Sequence, residues 1–412
     1  MSKFSHISDV HLGSLNRRLR EINVQSFVNA LETSKNENVD FIIISGDLFD
    51  NPYPDISSIR KAIKKMKELR ETGISIYAIP GSHDYSINNS SIFDLLESAG
   101  LFENVFKYKI ENEKITLRPT INKKCNAYIY GISARKRGLE EDYFRLLNGY
   151  ENADGFRIFV FHSAITELAR TTKYFGTEIP VSLVPRDMDY YAGGHIHKKI
   201  VKEYDHMKFF YPGPLFGADL TDLEDFARGS ERGFFIVEFD SKILNYKFIK
   251  NDRYIPLLMN IDVDGVDSLS AYKKVIDEVE NFNVKDKIVL LKIWGELISG
   301  KTTDINKIKI RDKLMNMGAL DVEISFNVTV RKTEKYYNFE LTNEEISKNV
   351  FRENLSKMKF EREFLDGDKG VSLAMDLKAI LSRDQGENEK KDDYIKRIRD
   401  DVFKRLGIEN DN

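Results

Sequence analysis

The chain has 412 residues, of which 41% are hydrophobic, and a formal net charge of −3. This length predicts two or three folding units, and the small negative charge means that any attraction to nucleic acid must come from local basic patches or bound metals. The single cysteine, Cys125, excludes an intramolecular disulfide and a thiolate metal cage.

No window of the sequence has the length and apolar character of a transmembrane span. A predicted strand from Lys3 to Ser8 leaves no room for a signal peptide. We therefore expect a soluble, cytoplasmic protein with no membrane partner.

Residues 1–254 alternate β-rich runs with helical stretches. The continuous apolar run from Phe41 to Ile44 is typical of a strand that is buried on both faces. Such alternation predicts a layered α/β fold in which helices cover a largely buried sheet. The predicted strands are Lys3–Ser8, Phe41–Ile44, Ile74–Ile79, Arg157–Phe161 and Asp189–Ala192, and the predicted helices are Glu21–Asn36 and Ile59–Glu71.

Residues 255–333 have a different pattern, which predicts a small β-α-β-α-β domain. Its strands are expected at Ile255–Val263, Lys287–Trp294 and Asp321–Val330, with helices at Ser268–Asn281 and Asp304–Asn316.

Residues 341–412 form a charged tail with helical periodicity. Thr342 and Glu345 fit a capping box, Gly367 to Gly370 are expected to interrupt the pattern, and further helices are predicted at Val371–Leu381 and Asp393–Leu406. The first helix has too few apolar residues for a core of its own, so its apolar face is expected to dock on a partner. Packing against the chain's own domains is a nearly equal alternative. The residues of this face are Ile346, Val350, Leu355 and Met358.

Five segments rich in Asp and His each follow a predicted strand, where ligands gather in α/β sheets. They are Asp9-Val10-His11, Gly46-Asp47, Gly81-Ser82-His83-Asp84, Phe161-His162-Ser163 and Gly193-Gly194-His195-Ile196-His197. Each segment alone is weak, but five of the seven histidines fall within them. Imidazole and carboxylate without thiolate favour divalent manganese, iron or zinc. A pair of cations about 3.5–4 Å apart needs a bridging carboxylate, for which Asp47 is the natural candidate. The two remaining histidines, His6 and His206, are expected to be structural.

The order of these segments resembles the signature of the calcineurin-like metallophosphoesterases. Ile7-Ser8-Asp9-Val10-His11-Leu12-Gly13 and Gly46-Asp47-Leu48-Phe49-Asp50 look more specifically like the SbcD-type nucleases of double-strand-break repair. The resemblance covers residues 1–215, as far as Tyr211-Pro212-Gly213-Pro214. It implies a layered β-sandwich core flanked by helices, a small α+β capping domain and a helical C-terminal tail that binds an ATPase.

The resemblance also implies the roles of individual residues. One of two divalent metals, with manganese favoured, would be bound by Asp9, His11, Asp47 and His197. The other would be bound by Asp47, Ser82, His162 and His195. His83 would face the scissile phosphate, and Asp84 would orient its ring.

By the same resemblance, the chain would be a DNA exonuclease and endonuclease that forms a homodimer and acts with an SbcC-type coiled-coil ATPase. Local basic residues that could contact DNA are Arg17, Arg18, Arg20, Arg135 and Arg137. Two alternatives stay open: a small-substrate phosphatase or cyclic-nucleotide phosphodiesterase of the same fold, and a DNA-end-binding scaffold with a weak metal site.

The sequence departs from the family pattern at two positions. Ser82 stands where the family has asparagine, and a hydroxyl is shorter and a poorer ligand than an amide oxygen. Asp50 stands where some relatives have a histidine near the leaving group, so no second catalytic histidine is assigned.

Replacement of Ser82 tests the first departure. We expect the wild type to bind the second metal less completely than Ser82→Asn, because the amide oxygen completes the coordination shell. Metal content per chain, measured by elemental analysis after dialysis, checks this expectation. Equal and full occupancy in both proteins would contradict it.

Overall fold

The computed structural model describes residues 1–86, 91–134, 139–169, 178–331, 342–356, 365, 367–386 and 389–408. Internal contacts divide the chain into two units, residues 1–331 and residues 332–412, and each is described by itself. Among the helices described, none is both long and apolar enough to cross a membrane.

The strands of the first unit are β1 Ser2–Ile7, β2 Phe41–Ser45, β3 Ser75–Ile79, β4 Glu103–Asn104, β5 Lys107–Glu111, β6 Lys114–Arg118, β7 Thr120–Asn122, β8 Ala127–Ile132, β9 Leu147–Tyr150, β10 Phe156–His162, β11 Ala164–Ile165, β12 Glu178–Ile179, β13 Tyr190–Gly194, β14 Ile200–Tyr204, β15 Met207–Tyr211, β16 Gly233–Phe239, β17 Ile243–Lys250, β18 Leu257–Asp262, β19 Ile288–Leu297 and β20 Asp321–Val330. Its helices are α1 Arg17–Asn36, α2 Ile56–Glu71, α3 Ile92–Ser98, α4 Glu140–Arg145, α5 Thr166–Ala169, α6 Leu220–Ala227, α7 Ser268–Glu280 and α8 Lys307–Asn316, with 3-10 turns at Val181–Leu183 and Thr302–Asp304.

Two six-stranded sheets form the main layers of this unit. The first has the strand order β17-β16-β1-β2-β3-β4, and the second has the order β14-β15-β13-β10-β8-β7. Strands β1, β2 and β3 run parallel, as do β8, β10, β13 and β15 in the other sheet. In a parallel group all carboxyl ends lie at one edge, so each sheet presents the loops that follow its strands on a single side.

Aromatic side chains fill the space between the two sheets. Phe4 of β1 stacks on Phe41 of β2 with ring centroids 5.2 Å apart, and it meets Tyr190 of β13 edge-on at 5.0 Å. A second apolar cluster joins the first sheet to α1, α2 and α3, and a third covers the outer face of the second sheet. The predicted layered β-sandwich core flanked by helices is therefore confirmed.

Helix α1 buries the apolar face that its sequence predicts, with Ile22, Phe27 and Leu31 all enclosed. The helix begins at Arg17, earlier than the predicted Glu21, after an extended Asn16 whose side chain forms no capping hydrogen bond. Its amino-terminal turn was missed because Arg17, Arg18 and Arg20 offer no apolar periodicity.

Residues 255–331 form the predicted β-α-β-α-β arrangement around a parallel sheet of order β18-β19-β20. The sheet and its two helices enclose a separate apolar cluster. A smaller cluster joins this sheet to the sandwich through Ile288 and Leu290 of β19 and Leu223 and Phe226 of α6. The domain boundary between residues 254 and 255 stays a prediction.

Several strands of the first unit were not predicted. Strands β5, β6 and β9 form a small sheet of their own. Strand β16 extends the first sheet by antiparallel pairing with β1, and β17 pairs antiparallel with β16. Most residues of β5 and β17 are exposed or half-buried, so these strands lack the apolar run by which buried strands are recognised.

The second unit contains the helices α9 Asn343–Ser356, α10 Gly367–Leu381 and α11 Lys391–Leu406. The prediction that Gly367 to Gly370 interrupts the helical pattern is wrong, because α10 starts at Gly367 and includes Gly370. A Cβ atom at Gly370 would lie 2.3 Å from the carbonyl oxygen of Leu365, so the tight start of this helix requires a residue without a side chain.

The apolar face predicted for partner binding lies on α9. Ile346, Val350 and Leu355 are half-buried within this unit, and Leu355 lies against α10 at Gly370. Met358 lies outside the described residues. Packing within the unit thus accounts for part of this face, and its role in binding a partner stays a prediction.

Truncation of Phe4 tests the packing between the sheets. We expect Phe4→Ala to lower the free energy of unfolding by about 3–5 kcal/mol, because the ring is fully buried and its loss leaves a cavity. Urea denaturation followed by circular dichroism measures the change. The control is Ile110→Ala, whose side chain is 67% exposed and which we expect to shift stability by less than about 0.5 kcal/mol. A Phe4→Ala loss no larger than the control would contradict the expectation.

Candidate metal centre

The two sheets bring the Asp and His segments to one edge of the sandwich. Asp9, Asp47 and His83 follow β1, β2 and β3 of the first sheet. From the second sheet, His162 ends β10, and His195 and His197 follow β13. Side chains from both sheets meet here, so the site lies where the carboxyl ends of the two parallel groups converge.

The backbone at this edge is held in conformations that side chains disfavour. Asp9, His11, Asp47 and His195 have φ angles of 51°, 49°, 47° and 84°. Residues other than glycine seldom have positive φ, and each such residue costs on the order of 1–3 kcal/mol. The sheets and their hydrogen bonds must therefore hold these four residues in place, as is typical of functional sites.

Two glycines allow the backbone to approach the site closely. Gly46 has a φ of +90°, and a Cβ atom there would lie 2.2 Å from Nδ1 of His162. A Cβ atom at Gly81 would lie 2.1 Å from Oδ1 of Asp47. Both contacts are shorter than atoms tolerate, so the site requires glycine at these positions.

Asp47 occupies the middle of the cluster. Its Oδ2 atom lies 3.0 Å from Nε2 of His162 and 3.7 Å from Nε2 of His11. Its Oδ1 atom accepts a hydrogen bond of 2.8 Å from the backbone N–H of His83. One carboxylate thus touches groups from both sheets, as a bridging ligand must.

Potential ligand atoms cluster in three groups, within each of which all atoms lie within 4.8 Å of one another. The groups share members, since Asp47 belongs to two of them and His11 also belongs to two. Such overlap describes two neighbouring cation positions more naturally than one. The groups are Asp9, His11 and His197; His11, Asp47 and His83; and Asp47, His162 and His195.

The arrangement of lone pairs fits divalent cations. Nε2 of His11 lies 3.3 Å from Nε2 of His197. If both of these atoms are unprotonated, their lone pairs repel each other. Oδ2 of Asp9 is buried and accepts no hydrogen bond from any described residue. Buried polar atoms rarely stay unpaired, and a cation among these three atoms would satisfy all of them.

A cavity of about 400 Å³ opens onto this cluster. Ser82, His83, His195 and His197 line it together with Asp47. Half-buried Ser82 therefore lines the same cavity as Asp47 and His195, and its role as a ligand stays a prediction.

The expectation that Asp84 orients the ring of His83 is wrong. Asp84 is fully buried, and its carboxylate accepts hydrogen bonds from the backbone N–H groups of Leu48, Phe49 and Gly81 at 3.1, 2.7 and 2.9 Å. The Nδ1 atom of His83 instead donates to the backbone carbonyl oxygen of Asp50 at 2.7 Å. Through these hydrogen bonds Asp84 connects the loop that carries Asp47 to the loop that carries His83.

The negative charge of the Asp84 carboxylate is balanced by backbone N–H groups and not by a cationic side chain among the described residues. Burial and the nearby Asp47 carboxylate raise the pKa of Asp84 to about 7, against which its three amide hydrogen bonds act. The residue is thus tied to backbone amides and not to a cationic partner.

Neighbouring histidines of the site differ in charge when no metal is bound. Burial disfavours the charged ring of His162, but the carboxylates of Asp47 and Asp9 outweigh it and raise its pKa to about 10. Burial and the charge of His162 lower the pKa of His195 to about 3. Burial alone would raise the pKa of Asp47, but His162 and His11 hold it well below its usual range. A protonated His162 would therefore compete with a cation for the Asp47 carboxylate.

Asp222 is a site residue that the sequence interpretation missed. It lies in the first turn of α6, and its Oδ2 atom accepts a hydrogen bond of 2.8 Å from Nδ1 of His197. Burial opposes protonation of His197, but Asp222 outweighs it and raises the pKa of that ring to about 9. The only signal in the sequence was an acidic residue near the start of a short helix, which any helix amino terminus favours.

The arginines predicted to contact DNA are only partly described. Arg18 pairs with Glu21 at 2.7 Å, and Arg20 donates through Nε and Nη2 to the carbonyl oxygen of Leu15 at 3.1 and 2.9 Å. The side chain of Arg17 and the residues Arg135 and Arg137 lie outside the described part. Arg20 is thus committed to its own loop, and contact between this group and DNA stays a prediction.

His6, one of the two remaining histidines, has the structural role expected of it. His6 is buried between the sheets, within 2.9 Å of the Tyr190 hydroxyl and 2.8 Å of the Ser45 hydroxyl, and burial lowers its pKa to about 3. His206 is exposed in the turn between β14 and β15.

Comparison with known proteins agrees with this geometry. A family model described as calcineurin-like phosphoesterase matches residues 2–199, which contain all the potential metal ligands named above. Asp222 lies beyond this match.

Curated relatives cover more of the chain. The DNA double-strand break repair protein Mre11 of Archaeoglobus fulgidus is 28% identical over 260 residues, which span 57% of this chain and 57% of that protein. The protein of the same name from Sulfurisphaera tokodaii is 25% identical over 419 residues, covering 99% of this chain and 97% of its own length. The uncharacterized metallophosphoesterase YhaO of Bacillus subtilis is 25% identical over 289 residues, covering 67% of this chain and 66% of its own length.

The pH dependence of stability tests the charges of the site. His162 and His197 have pKa values raised from 6.5 to about 10 and about 9, so the stability they contribute is present below pH 6.5 and is lost as pH rises through those values. We expect the unfolding temperature in EDTA to fall between pH 7 and pH 9. Saturating manganese should remove this dependence, because the cation replaces the protons.

Thermal unfolding followed by circular dichroism measures how the unfolding temperature changes with pH, once in EDTA and once in manganese. His206→Gln is the control, since its exposed ring lies outside the site and should leave the difference unchanged. The same slope in both conditions would contradict the expectation.

Proposed function

Residues 2–199 form a calcineurin-like phosphoesterase domain, and from this premise we propose that the chain is a two-metal DNA nuclease acting in double-strand-break repair. The observation that carries the proposal is the convergence of imidazole and carboxylate groups from both sheets on Asp47. Phosphoesterases of this family use divalent metals, and this cluster offers oxygen and nitrogen ligands for two of them.

The family resemblance implies the two ligand sets, and the groups of neighbouring atoms are compatible with them. One cation would be bound by Asp9, His11, Asp47 and His197, of which Asp9, His11 and His197 form one such group. The other would be bound by Asp47, His162 and His195, with Ser82 in the adjoining cavity wall. Manganese suits such a mixed set of nitrogen and oxygen ligands.

His83 is the group best placed to act on a bound phosphoester. Paired cations, when bound, would supply Lewis-acid activation of the phosphoester and of an attacking water. The His83 side chain is 48% exposed, and because its Nδ1 donates to a carbonyl oxygen, its Nε2 is left to hold or accept a proton at the cavity. We assign it the role of acid or charge stabiliser at the scissile phosphate.

The DNA substrate rests on the relatives and on local charge. Two of the relatives are named as DNA double-strand break repair proteins, and one of them aligns along nearly the whole chain. The acidic residues Asp219, Asp222 and Asp225 line one side of the cavity, so the cations are needed to attract phosphate there. The arginines Arg17 and Arg18 and the pair Arg135 and Arg137 are proposed to add contacts to the DNA backbone.

The helical tail is proposed to bind an SbcC-type coiled-coil ATPase. Its helices α9 and α11 carry alternating charges, and Ile395 of α11 is 52% exposed, which leaves apolar surface for a partner helix. We further propose a homodimer and a cytoplasmic location.

A nuclease assay tests the proposed function. Purified protein with manganese is offered duplex DNA with blunt or recessed ends, alongside a generic phosphomonoester. We expect DNA degradation that EDTA abolishes. His83→Ala should reduce the rate by about 10²–10⁴-fold through loss of the proton donor, and His162→Ala should abolish it through loss of a metal ligand.

His206→Ala serves as the matched control, since it removes an exposed histidine in the turn between β14 and β15, and it should retain full activity. Hydrolysis of the monoester alone would favour a phosphatase. DNA binding without hydrolysis would favour an end-binding scaffold, and either result would overturn the nuclease.

A further inference from the structure

Asp222 is held in a position that determines the state of His197. It is 6% exposed, and its Oδ2 atom accepts hydrogen bonds from Nδ1 of His197 and from the backbone N–H of Ala218, both at 2.8 Å. An ionised carboxylate only accepts hydrogen bonds, so Nδ1 must carry the proton. The lone pair of a neutral His197 ring is therefore on Nε2.

The free nitrogen of His197 points into the proposed metal centre. Nε2 lies 3.3 Å from Nε2 of His11 and 4.0 Å from Oδ1 of Asp9. These three residues form one of the groups of potential ligands. The tautomer selected by Asp222 is thus the one that can bind a cation there.

Arg232 fixes Asp222 and His197 relative to each other. Its side chain is fully buried, Nη1 donates to the carbonyl oxygen of His197 at 2.7 Å, and Nη2 donates to the carbonyl oxygen of Asp222 at 2.6 Å. Nη2 also lies 3.3 Å from Oδ1 of Asp222. A buried guanidinium is costly unless it is paired, so these contacts constrain the backbone of both residues as well as the carboxylate.

The opposite face of α6 packs on the sheet formed by β18, β19 and β20. Leu223 and Phe226 pack in one apolar cluster with Leu290 of β19, and Lys292 of β19 pairs with Glu224 at 2.9 Å. The helix that carries Asp222 is therefore supported from both sides.

We propose that Asp222 is a positioning residue that holds His197 in the orientation and tautomer required to bind a divalent cation. This inference rests on the metal centre proposed above. Without the carboxylate, the ring can rotate or take up the tautomer whose proton sits on Nε2, and that nitrogen then has no lone pair for a metal.

Asp222→Asn is the test variant. An amide can donate to Nδ1 as well as accept from it, so it no longer selects one tautomer. We expect manganese affinity, measured by calorimetric titration of the full chain, to fall by about 10–100-fold. In protein labelled with ¹⁵N-histidine, the His197 signals should shift from the Nδ1-protonated form toward a mixture of tautomers.

Asp225→Asn is the matched control, because Asp225 lies on the same helix and lines the same cavity. Asp225→Asn removes the same charge as Asp222→Asn. The loss of manganese affinity that it shows therefore measures the effect of the lost charge without the effect on His197. Asp222→Asn leaves Arg232 without its carboxylate, so the double variant Asp222→Asn with Arg232→Met is measured beside it to remove the unpaired buried charge. Circular dichroism at the titration temperature establishes that each protein is folded.

The outcomes separate this inference from the proposed function. Loss of affinity and of the tautomer signal in the Asp222 variants, with a smaller change in Asp225→Asn, supports the positioning role. Wild-type protein that binds manganese while Asp222→Asn or the folded double variant binds it equally well overturns that role alone. Wild-type protein that binds no divalent cation overturns the metal centre and the positioning role together.

Discussion

Packing of one sheet on the other is the contact on which the candidate site depends. Phe4 and Phe41 of the first sheet meet Tyr190 of the second between the layers, and this apolar contact sets the relative position of the sheets. That position places His162, at the end of β10, 3.0 Å from Asp47, which follows β2. The candidate ligands come from both sheets, so the proposed chemistry depends on the hydrophobic core that holds the sheets together.

The edge of the sandwich concentrates groups that are unfavourable on their own. Asp9 and Asp47 combine positive φ angles with near-complete burial of a charged side chain. Asp84 compensates in part, because it accepts three backbone N–H groups from the loops around it. Bound cations would relieve the remaining repulsion among lone pairs, so metal binding and folding stability are expected to be coupled at this site.

Local pattern was enough to predict much of the site. The apolar run from Phe41 to Ile44 marks a buried strand, and the position of Asp47 directly after it places the carboxylate at the sheet edge. The roles of Asp84 and Asp222 could not be found in this way. A carboxylate near a turn or a helix start binds whichever donors the fold brings to it, and those donors are distant in sequence or belong to the backbone. Gly367 to Gly370 were expected to interrupt the helical pattern because glycine disfavours helix interiors, although Gly370 lies inside α10 at a close contact with Leu365.

The sequence by itself determined the main strands and helices, the layered class of the fold and the kinds of side chain that stand at the strand ends. These features follow from apolar periodicity and from the spacing of Asp, His and Gly over a few residues. Only the tertiary structure decided which atoms meet: that Asp47 touches histidines of both sheets, that the carbonyl oxygen of Asp50 holds His83, and that Asp222 holds His197. The physical reason is that these contacts depend on packing between the layers and on loops far apart in the chain, where no local spacing constrains the partners.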